Sequence, residues 1–145
     1  MPKDLFTKEQ QAQIEAAIKQ AETDTSGEIR VHIERHIEED VLDHAAFIFE
    51  QLEMHKTELR NGVLFLLVVD DRQLAIIGDA GINAKVQEGF WDEIRDHMLA
   101  HFKKGNYTEG LSQGILMAGK ALKKHFPIDK KNDKNELSDE ISFGK

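Results

Sequence analysis

The chain has 145 residues, with 27 acidic side chains against 19 Lys and Arg and a net charge of −8 with histidine neutral. That length specifies one domain with a sizeable core, and a 40% hydrophobic content with 10 glycines excludes wholesale disorder and fibrous classes. The absence of cysteine excludes disulfides, a thiol nucleophile and thiolate-bound metal.

Thr7-Lys8-Glu9-Gln10 has the spacing of a capping box, and Ile14, Ala17, Ile18 and Ala21 continue it at helical spacing to about Thr23. After a Ser26-Gly27 turn, Ile29, Val31 and Ile33 alternate with Glu28, Arg30, His32 and Glu34, which predicts a strand with one polar face. Asp40 is placed to cap a second helix whose apolar side is Leu42, Ala45, Phe49 and Leu52. Beyond Asn61-Gly62, the run Val63 to Val69 suits a central strand covered on both faces. Asp70-Asp71-Arg72 is a turn, and Leu74 to Ile77 form a third strand ending at Gly78. So short a connection requires an antiparallel hairpin, whereas strands one and two, joined through a helix, should run parallel. A third helical region opens at Asn83 and carries Val86, Phe90, Ile94, Met98 and Phe102. Thr108 is placed to cap a fourth helix with Leu111, Ile115, Ala118 and Leu122. The reading is an α/β domain over residues 1–126, a three-layer α/β/α sandwich with a small mixed sheet and about four helices. Residues 127–145 form a polar, flexible tail, in which Leu137, Ile141 and Phe143 are able to dock.

The charge is unevenly spread. Glu34, Glu38, Glu39, Asp40, Asp43, Glu50, Glu53 and Glu58 face only Arg35 and Lys56, so one segment carries most of the excess. There is no basic stripe of the kind a nucleic-acid backbone needs. Lys103-Lys104 and Lys120, Lys123 and Lys124 are small basic groups late in helices, where they complement the dipole. The seven-residue run at Val63 is far short of the roughly 20 apolar residues that span a bilayer, and the N-terminus lacks a secretion signal. These features exclude nucleic acid and membrane insertion and point to a soluble, cytoplasmic protein. They favour a divalent cation, or a protein partner for the acidic second helix, and leave the oligomeric state open.

Several catalytic templates fail. There is no phosphate loop, no Gly-x-Gly-x-x-Gly and no nucleophile elbow at Ser26 or Ser112. Asp70-Asp71 follows an apolar strand but lacks the second carboxylate of aspartyl-phosphate enzymes, since position 72 is Arg; solvated turn aspartates are the plainer reading. His97 and His101 have metal-ligand spacing, without the Glu of a His-Glu-x-x-His motif. His32, His36, His44 and His55 lie in the acidic segment, whose carboxylates favour their protonated forms.

Topology supplies a sharper candidate. A parallel pair of strands one and two, with an antiparallel third, brings three breaks to one sheet edge: Ser26-Gly27-Glu28, Arg60-Asn61-Gly62 and Gly78-Asp79-Ala80-Gly81. Two carboxylates, an amide and exposed backbone carbonyls there match the oxygen preference of Ca²⁺ or Mg²⁺. The structural alternative is that the glycines serve turns, Asn61 caps a strand end and Arg60 pairs with Asp79.

At these residues the sequence resembles the TPM-domain family. The matching pieces are Ser26-Gly27-Glu28-Ile29-Arg30-Val31, Asn61-Gly62-Val63-Leu64, Ile77-Gly78-Asp79-Ala80-Gly81-Ile82, Phe90-Trp91 and Phe102-x-x-Gly105-x-Tyr107-x-x-Gly110-Leu111. The tail from Asn135 to Gly144 is similar to that of stand-alone bacterial members. The resemblance implies an α/β/α sandwich, divalent-cation binding and, as in plant members, acid phosphatase activity. With no nucleophile motif, such activity would be metal-assisted. Glu28, Asn61 and Asp79 are then the first candidate cation ligands, and Asp70 and Asp71 the second, at the opposite edge. Three functions follow as expectations: a Ca²⁺- or Mg²⁺-binding module with a binding or regulatory role, a metal-dependent acid phosphatase acting on phosphate monoesters, and an acidic interaction module without metal.

Overall fold

A computed structural model describes residues 6–128 and 140–144. Helix α1 (Lys8–Glu22) starts with the full capping box: Thr7 accepts from the Gln10 backbone, and the Gln10 side chain accepts from Thr7 N–H. The chain then forms β1 (Glu28–Glu34), α2 (Val41–Gln51), a 3₁₀ turn (Met54–Lys56), β2 (Gly62–Val68) and β3 (Gln73–Gly78). It continues through α3 (Ala80–Asn83), α4 (Phe90–Phe102), α5 (Tyr107–His125) and β4 (Ser142–Phe143).

The sheet order is β3-β2-β1-β4. β1 pairs parallel with β2 in the register Glu28↔Gly62 to Glu34↔Val68, and β2 pairs antiparallel with β3. Every residue of β2 is buried, as expected of a strand covered on both faces. Its alternation sorts the core: Val63, Phe65 and Leu67 join Ile29, Val31 and Ile33 beneath α1, α4 and α5. Leu64, Leu66 and Val68 face Ala45, Ile48 and Phe49 of α2. The result is the expected α/β/α sandwich.

Four details differ from the sequence reading. The third helical region is two helices: Asp79 caps the short α3, and Gly89 at φ +83° sets a new start at Phe90. Asn106, not Thr108, is the N-cap of α5, because the first helical bond runs from Gly110 N–H to Asn106 O. Leu42 is 57% exposed, and the apolar stripe of α2 is carried by Ala45, Ile48 and Phe49. Finally, β4 adds a fourth strand, parallel to β1 through His32↔Ser142 and Ile33↔Phe143. Ile141 beside it is buried, while Leu137 lies outside the described residues. β1 is interior, between β2 and β4, and two residues of its polar face, Glu28 and His32, are buried.

Candidate functional site

The register brings the first candidate set to one edge. Glu28 N–H donates to Asn61 O at 3.3 Å, Asp79 N–H to Gly62 O at 2.9 Å, and Gly81 N–H to Arg60 O at 2.8 Å. Glu28, Asn61 and Asp79 are all buried. The side chains of Asp79 and Asn61 have structural partners. Arg60 Nε and Nη2 donate to Asp79 Oδ2 and Oδ1 at 2.7 and 2.8 Å, and Ala80 N–H donates to Asp79 Oδ1 at 2.7 Å. The Asn61 amide donates to Ser26 Oγ at 3.2 Å. Asp79 raises the Arg60 pKa through these bonds, which keeps the guanidinium charged. A cation at Asp79 would meet that charge, so the donor set does not fit a hard cation while Arg60 is in place. Beside the pair lies a groove of about 330 Å³ lined by Phe49, Glu50, His55, Arg60 and Asp79.

The second set lies at the opposite edge, where the parallel register continues past the strands. Val69 N–H donates to Glu34 O at 2.9 Å and Asp70 N–H to Arg35 O at 2.8 Å. This lays the Asp70-Asp71 turn beside Arg35, His36 and Ile37. Asp70 Oδ2 accepts from Arg35 Nε at 3.3 Å. Asp71 Oδ2 accepts from Ile37 N–H at 3.1 Å, and its Oδ1 lies 2.6 Å from His36 Nδ1. The other His36 nitrogen is 2.9 Å from Glu38 Oε1. With a carboxylate at each nitrogen, the His36 pKa rises to about 8, the Asp71 hydrogen bond being the largest cause. The same bond lowers the Asp71 pKa.

A second histidine link runs deeper. His44 Nδ1 lies 2.6 Å from Glu39 Oε1, and its Nε2 is hydrogen-bonded to Glu34 Oε2. Burial pulls the His44 pKa down, but the bonds to Glu39 and Glu34 together outweigh it and raise the value. His32 Nε2 is 3.4 Å from the same Glu34 oxygen, and His32 Nδ1 is 2.9 Å from Ser142 Oγ. Burial dominates at His32 and lowers its pKa despite Glu34.

Sequence reasoning expected the neighbouring acids to favour protonated histidines, which holds for His36 and His44 but not for His32, where burial prevails; it did not foresee the particular bridges. The signal was present: a parallel register pairing Glu34 with Val68 puts residue 36 next to the turn after β2. His97 and His101 have a different explanation, since both Nε2 atoms lie near Gln113 Oε1, at 2.6 and 3.2 Å, and Gln113 donates to Glu109.

Among the described residues, no three His, Cys, Asp or Glu side chains already surround a common metal position. At the Asp70-Asp71 edge the carboxylate oxygens lie on loops and are held by Arg35, His36 and the Ile37 N–H. No described helix is long and apolar enough to cross a membrane.

The chain was compared with known proteins. The family model described as TPM domain matches residues 2–121. The NMR structure of the BA42 protein from the psychrophilic bacterium Bizionia argentinensis is 47% identical, covers 96% of this chain and 95% of its own, and superposes with a TM-score of 0.89. The N-terminal domain of a protein from P. gingivalis is 25% identical with a TM-score of 0.71, covering 86% of this chain and 83% of its own. The N-terminal domain of cg2496 from Corynebacterium glutamicum shares the fold at 13% identity and a TM-score of 0.64, over 81% of this chain and 74% of its own. A comparison with curated proteins gave no match. Ordered motifs, the α/β/α sandwich and a family match over most of the length agree: the chain belongs to the TPM-domain family.

Proposed function

We propose that this TPM domain binds a divalent cation, Ca²⁺ or Mg²⁺, at the Asp70-Asp71 edge and has a binding or regulatory role. The observation that carries this reading is the convergence of Asp70, Asp71 and Glu38 on Arg35 and His36. These carboxylates come from two loops and are solvent-accessible; their side-chain partners Arg35 and His36 can leave, while the Ile37 N–H keeps Asp71 in place. The Glu28, Asn61 and Asp79 edge is the weaker candidate, because Arg60 neutralises Asp79 in a two-bond pair. A Ca²⁺ titration followed by backbone amide NMR tests the choice. Shifts should gather at residues 35–39 and 69–72 and vanish in Asp71→Asn. Shifts confined to residues 26–28, 60–62 and 78–81 would move the site to the other edge, and no shift at either would end the cation reading.

The second reading is a metal-dependent acid phosphatase acting on phosphate monoesters. It is favoured by Arg72, an exposed guanidinium immediately after the acidic pair, which is of the type that holds phosphoryl oxygens. A bound cation would supply Lewis-acid charge there; Asp70 and Asp71 would hold it, and Arg72 would orient the ester. Turnover of an aryl phosphate at acidic pH, lost with chelator and in Asp71→Asn, is the expected result. Equal turnover in that variant would remove the enzyme reading.

A further inference from the structure

A cavity of about 910 Å³ opens between the β2–β3 turn and the corner joining α4 to α5. Leu67, Leu99, Phe102 and Tyr107 give it an apolar lining, with the Phe102 and Tyr107 rings 5.0 Å apart. Arg72, Lys103 and Lys104 also line it. All three are exposed, and none has an ion-pair partner among the described residues. The lining acid, Asp96, lies 3.7 Å from Arg95. In a chain of net charge −8, three unpaired cations around one apolar cavity form a local reversal of sign.

Arg72 is placed there at some conformational expense. Its φ is +53°, a left-handed conformation that favours glycine, and its N–H donates to Val69 O at 3.2 Å. A turn selected for stability alone would carry glycine or asparagine at that position. The arginine side chain is therefore the feature that needs a role, and the cavity supplies one.

We infer that this cavity binds a small amphiphilic anion, with its apolar, ring-containing body against Leu67, Leu99, Phe102 and Tyr107 and its charged head between Arg72, Lys103 and Lys104. The volume suits a free molecule of one to three rings. The aromatic pair offers a stacking surface, and the cations select against neutral molecules of the same shape. This inference does not rest on cation binding, so its experiment is run in excess chelator.

The probes are 8-anilino-1-naphthalenesulfonate and its uncharged relative N-phenyl-1-naphthylamine, both of which fluoresce when taken out of water. The anion should bind at least tenfold more tightly than the neutral probe, and more weakly as salt rises. Amide shifts should gather at residues 67, 72 and 99–107. Arg72→Gly combined with Lys103→Gln and Lys104→Gln should weaken the anion about tenfold and leave the neutral probe unchanged. Arg72→Gly alone should weaken the anion while raising the midpoint of thermal unfolding, because glycine relieves the left-handed φ; this separates lost binding from lost fold. Equal affinity for the two probes, anion binding unaffected by the triple variant, or shifts elsewhere would each overturn the inference. Absence of shifts at residues 35–39 in the separate, chelator-free Ca²⁺ titration would count against the cation proposal and leave this inference standing.

Discussion

Arg60 and Asp79 close one edge of the sheet by joining the second residue before β2 to the residue after β3 through two hydrogen bonds of 2.7 and 2.8 Å. The pair is asymmetric. Asp79 is 6% exposed, whereas the Arg60 side chain is half exposed. Asp79 also caps α3 through Ala80 N–H. Asp79→Ala should therefore lose both the pair and the cap, costing about 2 kcal/mol in urea unfolding. Arg60→Ala should destabilise as well, by leaving a buried carboxylate without its counter-charge. It should also create Ca²⁺-induced amide shifts at residues 78–80 that the native chain lacks.

Gly81 is required by the same closure. A Cβ there would press on the Leu59 carbonyl oxygen and come within 2.6 Å of Arg60 O, the acceptor of the Gly81 N–H. Both obstacles are backbone, so no side-chain rotation relieves them. Gly81→Ala should cost about 3 kcal/mol, lowering the urea midpoint with little change in slope. Gly105→Ala, where open space surrounds the new methyl, should cost less and only through its positive φ of +79°.

His36 should titrate near pH 8 by NMR. Its pKa in the folded chain lies above the ordinary 6.5, so its stabilising bonds are fully present below pH 6.5 and are lost as pH rises through about 8. Asp71→Asn removes the largest cause and should return the midpoint toward 6.5. Glu38→Gln should produce a smaller fall, because Glu38 makes the lesser hydrogen bond.

His32 works in the opposite sense. Burial lowers its pKa, Arg30 and His44 oppose its protonation, and Glu34 partly offsets them. The neutral ring contributes stability above pH 6.5 that is lost as pH falls, and the Ser142 contact and the β4 pairing should weaken with it. The protection of Gly144 N–H, which donates to Ile33 O at 2.9 Å, should fall in acid relative to its intrinsic exchange rate before that of the β2 amides changes. Ser142→Ala should cost about 1 kcal/mol and reproduce part of that loss at neutral pH.

The sequence by itself determined the elements whose signals are local. Thr7 and Gln10 specify the start of α1, the unbroken apolar run specifies a fully buried β2, and the short Asp70-Asp71-Arg72 turn forces the hairpin with β3. Chain order then placed Glu28, Asn61 and Asp79 at one edge and Asp70 and Asp71 at the other, because a parallel pair can be aligned only one way round. Tertiary structure decided what those residues are free to do. Whether Asp79 meets Arg60, whether His36 reaches Asp71, and whether Ser142 covers His32 depend on contacts between residues 19 to 110 positions apart. Spacing within one element carries no trace of such contacts. The polar face of β1 is the clearest case: alternation showed that it was polar, but only the folded chain buries Glu28 and His32 on it. The cavity beneath Arg72, Lys103 and Lys104 likewise arises from the meeting of a turn and a helix corner that are distant in the chain.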